Sequence, residues 1–393
     1  MELRKLKDLA LENKKVFLRL DLNVPIKEGV ITDDTRIKAA LPTIEYILSK
    51  TNKLVIASHL GRPKGERNMA YSLEPVGSRL AEILGKEVVF LSEYIEEPII
   101  PALDQLQPNQ FILLENLRFY PGEKGGNLEF AQNLMRGFDY YVNDGFGTVH
   151  RADTSVVAAG ECLPPEKRAA GFLIEKEVQF LSPVLTSPKA PFTVVMGGSK
   201  VSDKIGVILS LLDKCNNLLI GGAMAYTFLK YKGVDVGASR VEEDKLDLVG
   251  SIYKTAEQRK VRIEIPVDHV CASEFSESAQ AVNVDSQSIP QNLMGLDIGV
   301  RTQKLYSDII KSSATVVWNG PMGVFEWEKF SKGSFAVAKA MSECSGTTIV
   351  GGGDSASAIN KSGVKVSHVS TGGGASLEFL EGKVLPGLKI LCK

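Results

Sequence analysis

TTIVGGGDSASAI, Thr347 to Ile359, is the stretch from which the chain is read. A β-branched run enters a glycine triplet and a run of small residues leaves it, the order of a strand, a tight turn and a helix start. Glycine lets backbone approach an anion closely. The first helical turn offers unpaired N–H groups and the positive end of the helix dipole. The same order returns in VSHVSTGGGASLEFL, Val366 to Leu380. Two such turns in one half of a chain point to a polyphosphate site.

Outward from these turns, short apolar runs alternate with helical patterns. In the first half the strand candidates are Val16–Leu20, Leu54–Ala57, Val88–Leu91, Phe111–Leu114 and Tyr140–Val142. In the second half they are Phe192–Met196, Leu218–Ile220, Val261–Ile265, Thr315–Trp318, Thr347–Val350 and His368–Val369. This alternation implies an α/β fold with mostly parallel sheets. A charged, helix-like stretch, LIEKEVQFLSPVL, leads into Ser187-Pro188 and Ala190-Pro191, which break helix. The domain boundary is expected at that break. Almost every strand runs into a polar or glycine-bearing tip: DLNVP, SHLGRPKG, ENLRFYPGEKGG and NDGFGTVHR early, GGSKVSDK, GGAMAYTF, PVDH, NGPMGVFE, GGGDSAS and STGGGAS late. Ligands of open parallel sheets bind beyond the carboxyl ends of the strands. Two lobes presenting these edges across a cleft are therefore expected.

With 393 residues there is material for two cores. A net charge of −1, from 46 basic and 47 acidic residues, gives no global field for nucleic acid or an anionic membrane. Anion affinity must come from local clustering. Five cysteines with no CxxC spacing fit free thiols in a reducing cytosol. The charged start, MELRKLKDLALENKK, is no signal peptide, and no apolar run reaches the roughly 18 residues of a membrane span.

Asp21, Asn23, Arg36, His59, Arg62, Arg118 and Arg151 fall on strand ends or the loops after them. Arginine forks suit carboxylate and phosphate oxygens, so this set would hold a small, multiply charged anion. In the second half, MGGSKVSDK supplies Gly197, Gly198, Lys200 and Lys204. On a helix the two lysines would share a face. Glu326 ends a Gly-Pro turn and suits ribose hydroxyls. Asp354 stands beside a glycine turn, where Mg²⁺ bound through substrate phosphates needs a carboxylate. Taken singly, each feature has a plain reading as a turn, a cap or a solvated charge. Other chemistries lack their motifs: there is no GxxxxGK[ST], no GxGxxG after the first strand, no HExxH and no G-x-S-x-G. DGFG and HRAD come in the wrong order for a protein kinase.

RLDLNVP, DDTRI, SHLGRPKG, ENLRFYPGE, NDGFGTVHRADTS, GGSKVSDKIGV, WNGPMGVFE, GGGDSASAI and HVSTGGGAS, in this order, closely resemble the phosphoglycerate kinase family. The resemblance covers essentially the whole chain. It implies two Rossmann-like lobes joined by a helical hinge. The N-terminal acid-substrate lobe would be 1–172, the hinge 173–191, the nucleotide lobe 192–380, and 381–393 a tail returning to the first lobe. It implies reversible phosphoryl transfer from 1,3-bisphosphoglycerate to MgADP, giving 3-phosphoglycerate and MgATP, in glycolysis and gluconeogenesis, by a cytoplasmic monomer with small-molecule partners.

By this resemblance the acid substrate meets Asp21, Asn23, Arg36, His59, Arg62, Arg118 and Arg151. The nucleotide meets Gly198, Lys204, Gly222, Gly295, Asn319, Glu326, Gly352, Gly353, Asp354 and Ser355, with Asp354 on the metal. Lys200 meets the transferring phosphoryl group, and Gly372–Gly374, Gly373 among them, form the helix start facing it. Arg36, Lys200, Gly353 and Gly373 are the expected catalytic set. Gly145 stands where the family has Ala, Asp153-Thr154 where it has His-Ala, and Ser355 where it has Thr. Asp153 lies two residues from Arg151, near enough for a carboxylate to weaken that arginine's pull, and the sequence leaves open whether it does. The acceptor carboxylate, with a pKa of about 3.5–4, is already ionised, which fits the lack of an obvious general base. Another ATP-dependent carboxylate kinase and a nucleotide-binding scaffold are the competing readings.

Overall fold

The computed structural model describes residues 2–95 and 99–393. These form two compact units, one of residues 1–179 with 384–393 and one of residues 180–383.

The first unit contains β1 (Val16–Arg19), the hairpin β2 (Ile26–Lys27) and β3 (Val30–Ile31), β4 (Leu54–Ala57), β5 (Glu87–Leu91), β6 (Gln110–Leu114), β7 (Tyr140–Asn143) and β8 (Arg168–Ala170). Apart from the hairpin, all belong to one parallel sheet in the order β5-β6-β4-β1-β7-β8. β1 pairs on both sides, Val16 opposite Leu54 and Tyr140, and all four of its residues are buried. That explains its unbroken apolar reading up to Arg19. Helices α1 (Thr35–Leu48) and α2 (Glu74–Leu84) bring Ile37, Ile44, Val76 and Leu80 onto Leu18, Ile56, Leu113 and Val142 in one core. Helices α3 (Ile99–Asp104), α4 (Leu128–Met135) and α5 (Ala158–Glu161) complete the crossovers. The chain end packs here as well. Leu385, Leu388 and Leu391 are buried, Gly387 N–H donates to Val149 at 2.8 Å, and Arg4 N–H donates to Leu391 at 2.9 Å.

α6 (Phe172–Thr186) starts on two acceptors of the first unit. Phe172 N–H donates to Thr43 Oγ1 at 2.9 Å and Ile174 N–H to Asp144 Oδ1 at 3.0 Å. The division between the units falls inside this helix, after Gln179, ahead of the Ser187–Pro191 break where the sequence suggests it.

The second unit holds β9 (Phe192–Met196), β10 (Asn217–Ile220), β11 (Arg262–Glu264), β12 (His269–Ala272), β13 (Val282–Val284), β14 (Met294–Ile298), β15 (Thr315–Asn319), β16 (Thr347–Gly351) and β17 (His368–Val369). Its parallel sheet runs β11-β10-β9-β15-β16-β17. Helices α7 (Ile205–Leu212), α8 (Met224–Tyr231), α9 (Leu246–Arg259), α10 (Val300–Lys311), α11 (Lys332–Glu343), α12 (Gly353–Ser362) and α13 (Gly374–Leu380) flank it, and α14 (Pro386–Lys389) lies in the tail. Trp318 is wholly buried on β15 among Val195, Tyr306, Val337 and Val350.

One element was not anticipated. β12, β13 and β14 form a separate antiparallel sheet in the order β13-β12-β14. PVDH, read as the tip of a parallel strand, leads directly into β12. The short runs 282–284 and 294–298 carry no strong strand pattern, and their burial depends on partners such as Phe330 and Tyr226. Among the described residues no helix is long and apolar enough to cross a membrane.

Candidate active site

In the first unit the anion set comes from four neighbouring strands. Asp21 and Asn23 follow β1, His59 and Arg62 follow β4, Arg118 follows β6, and Arg151 follows β7. Parallel strands deliver all their carboxyl ends to one edge of the sheet, which gathers residues 130 positions apart. Arg36 enters from the first turn of α1 and donates to Asp21 Oδ1 at 2.8 Å. Asp21 Oδ1 also accepts from Asn23 N–H at 3.2 Å, and Asn23 Oδ1 accepts from Gly61 N–H at 2.9 Å. Arg62, Arg118 and Arg151 line a cavity of about 590 Å³ with Lys64, Lys124 and Tyr120. Arg118 is nearly buried and is aimed by a 2.7 Å hydrogen bond to the Gly61 carbonyl.

Arg19 is the residue of this site that the sequence reading missed. Wholly buried at the end of β1, it donates to Ser155 Oγ at 2.7 Å, to the Leu20 carbonyl, and from its Nη2 to His59 Nδ1 at 3.1 Å. A guanidinium only donates, so Nδ1 is the acceptor and the His59 proton sits on Nε2. Burial, and then the charges of Arg19, Arg118, Arg151 and Arg36, hold the His59 pKa well below its ordinary value. His59 is thus a neutral donor beside the arginines of the set. A charged residue inside an apolar run, VFLR, was the available signal for Arg19.

The sequence leaves open whether Asp153 acts on Arg151, and its partners answer that. Its carboxylate pairs with Arg118 at 3.4 Å and Lys124 at 2.9 Å, not with Arg151. Burial raises its pKa, but the Lys124 and Arg118 charges outweigh that, and the net shift is downward. Arg151 Nε instead donates to His150 Nε2 at 3.2 Å. Gly145 has tight surroundings: a Cβ there would lie 3.1 Å from Asp21 N.

In the second unit the strand ends again converge. Gly198 and Lys200 follow β9, Gly222 follows β10, Asn319 closes β15, Gly352 to Ser355 follow β16, and Gly373 follows β17. A cavity of about 510 Å³ is lined by Gly198, Gly222, Gly295, Glu326 and Asp354, and by the apolar residues Phe275, Met294, Leu296 and Val324. Those apolar residues come largely from the unanticipated antiparallel sheet and its loops, and the sequence reading missed them. Phe275 is 65% exposed and packs on Trp327. Gly222 sits at φ +66°, and a Cβ there would come within 2.5 Å of the Gly198 backbone.

Lys204 and Asn319 form a direct pair, the ammonium donating to Asn319 Oδ1, and burial lowers the Lys204 pKa. Ser355 Oγ accepts from Gly320 N–H at 2.6 Å, joining the α12 start to the 319–326 loop. The expectation that Lys200 and Lys204 share a helix face is corrected. α7 begins only at Ile205, and both lysines stand on the loop before it. GSKVSD lacks the propensity to extend that helix: glycine and two serines favour turns. Asp354 is exposed in the first turn of α12. Among the described residues no three His, Cys, Asp or Glu side chains gather around one point. A divalent cation held here would draw on few carboxylates, Asp354 among them, and would take further ligands from phosphate and water, as Mg²⁺ does.

Comparison with known proteins agrees with this geometry. The family model described as phosphoglycerate kinase matches residues 6–383. A phosphoglycerate kinase of Borrelia duttonii is 49% identical over 393 residues, covering 100% of both chains. One of Finegoldia magna is 50% identical over 392 residues, covering 99% of this chain and 98% of its own. The structure of phosphoglycerate kinase from Coxiella burnetii superposes with a TM-score of 0.90 at 40% identity over 100% of both chains. That of Pyrococcus horikoshii OT3 gives 0.85 at 34% identity over 99% of this chain and 98% of its own. A family model over almost the whole chain and full-length likeness to these enzymes converge: the chain belongs to the phosphoglycerate kinase family.

Proposed function

We propose that the reaction of this kinase, reversible phosphoryl transfer from 1,3-bisphosphoglycerate to ADP giving 3-phosphoglycerate and ATP, runs on the residues described above. The supporting observation is the anion set on four adjacent strand ends. It offers three arginines at one cavity, a fourth held by Asp21, and a neutral His59 Nε2–H donor. Arg62, Arg118 and Arg151 hold the non-reacting phosphate, Asp21 and Asn23 orient the hydroxyl and Arg36, and Arg36 and Lys200 stabilise charge on the transferring group. Backbone N–H groups near Gly353 and Gly373 add to that stabilisation. Gly198, Lys204, Gly222, Gly295, Asn319, Glu326, Gly352, Asp354 and Ser355 hold the nucleotide.

The acceptor is a carboxylate, ionised at neutral pH, so no residue needs to remove a proton. Catalysis is positioning plus charge stabilisation of an in-line displacement. Mg²⁺ held near Asp354 supplies neutralisation of the nucleotide phosphates. Water competes as acceptor, so water must be excluded from the transferring group before transfer. The enzyme acts as a cytosolic monomer.

A coupled assay with MgATP and 3-phosphoglycerate, reading acyl-phosphate formation as NADH loss through glyceraldehyde-3-phosphate dehydrogenase, tests the reaction. Turnover with 3-phosphoglycerate and not with glycerate is expected, because glycerate lacks the phosphate the arginines hold. Equal turnover with both would favour another carboxylate kinase.

A further inference from the structure

The loop that carries Lys200 has no regular structure of its own. It joins β9 to α7, and α7 has no side-chain N-cap. Among the described residues the Lys200 ammonium has no hydrogen bond or ion pair, so its place is set by the backbone beneath it. Lys204, by contrast, is tied through its side chain to Asn319.

Glu242 anchors that backbone from a distant segment. Its Oε2 accepts from Val201 N–H at 2.5 Å and from Ser202 N–H at 3.4 Å, and its Oε1 accepts from Ser202 Oγ at 2.6 Å. These are the two residues that follow Lys200. A carboxylate acceptor makes such bonds about twice as strong as a neutral one. Glu242 is itself fixed: its N–H donates to Thr227 Oγ1 at 3.1 Å, and Thr227 is buried on α8. Ala238 and Arg240, just before Glu242, line the nucleotide cavity. One short segment therefore borders the nucleotide cavity and holds the lysine loop.

We propose that Glu242 is the positioning residue for Lys200, holding its loop in the geometry that phosphoryl transfer needs. This rests on the reading of Lys200 as the lysine that meets the transferring group. Glu242 touches no reacting atom. It acts through Val201 and Ser202.

The full chain is assayed as wild type, Glu242→Ala, Glu242→Gln, Lys200→Ala and the Glu242→Ala/Lys200→Ala double variant, with kcat, ADP Kd by calorimetry and thermal midpoint measured for each. Glu242→Ala is expected to lower kcat on the order of 10- to 100-fold, the scale of a misplaced catalytic group. ADP Kd should stay within about threefold, since Lys204, Glu326 and Asp354 are left in place. Glu242→Gln should restore most of the loss: its amide oxygen still accepts from Val201, and its NH₂ donates to Ser202 Oγ. Loss of charge alone would not be rescued in this way. In the double variant Glu242→Ala should add nothing to the loss from Lys200→Ala. If Glu242→Ala does not fold, Glu242→Asp, one methylene short of Val201, is held to the same criteria. An unchanged kcat in Glu242→Ala beside a collapsed one in Lys200→Ala, or a fully multiplicative double variant, overturns the role of Glu242. Retained turnover in Lys200→Ala overturns the reading of Lys200 instead.

Discussion

At the residue scale, the site depends on charges whose positions are held by other charges. Lys200→Ala is expected to lose most of kcat while nucleotide Kd changes little. Survival of turnover within about tenfold, roughly 1.4 kcal/mol, would remove Lys200 from the mechanism. Arg36→Ala should lower turnover even at saturating substrate, and an effect confined to KM would leave Arg36 a binding residue. His59 carries a pH signature. Its folded pKa lies well below its ordinary value of 6.5. Below pH 6.5 the unfolded chain takes up a proton that the folded one refuses, so stability falls as pH drops through that value. His59→Gln should show a shallower acid loss in urea titrations below pH 6.5, and identical slopes would mean that His59 is charged in the folded protein. His59 and Arg118 were legible in the sequence because strand-end tips are a local pattern. Arg19 was not, because its role depends on Ser155, 136 residues away.

At the element scale, the start of α6 is the informative feature. Asp144 is buried beneath it, and burial, opposed by bonds from Thr43 and the Ile174 and Leu173 backbone, lifts its pKa to about 7. Between the ordinary 3.8 and about 7 the unfolded chain is ionised there while the folded one keeps its proton. Stability contributed by Asp144 is therefore present at low pH and lost as pH rises through that window. Asp144→Asn keeps an acceptor for Ile174 N–H and should flatten the loss between pH 4 and 7, measured as the difference in urea midpoints. An unchanged profile would show that Asp144 ionises freely. The helices and central strands were readable from periodicity, since each buries a face that its own sequence displays. The antiparallel sheet was not: runs such as Val282–Val284 are too short to signal, and they become strands only beside β12.

At the scale of the whole molecule, the last ten residues belong to the unit in which the chain begins. Leu388 is fully buried there, so Leu388→Ala should cost about 2–5 kcal/mol. The two tryptophans, Trp318 and Trp327, both lie in the other unit. Denaturation of Leu388→Ala should therefore shift the circular-dichroism transition to lower urea while the tryptophan-fluorescence transition moves less. Coincident shifts would show that the two units unfold as one, which multidomain chains need not do.

What the sequence by itself determined was the α/β class, the central parallel strands, and which residues stand on the strand-end tips. Those follow from hydrophobic period and glycine placement, which act over a few residues. Tertiary structure alone decided that Asp153 would pair with Arg118 and Lys124, that Arg19 would fix the proton on His59, that Phe275 would border the cavity at the second sheet's strand ends, and that Glu242 would hold the Lys200 loop. Each of these joins residues far apart in the chain. Such pairings are set by strand order and packing, which no local pattern encodes.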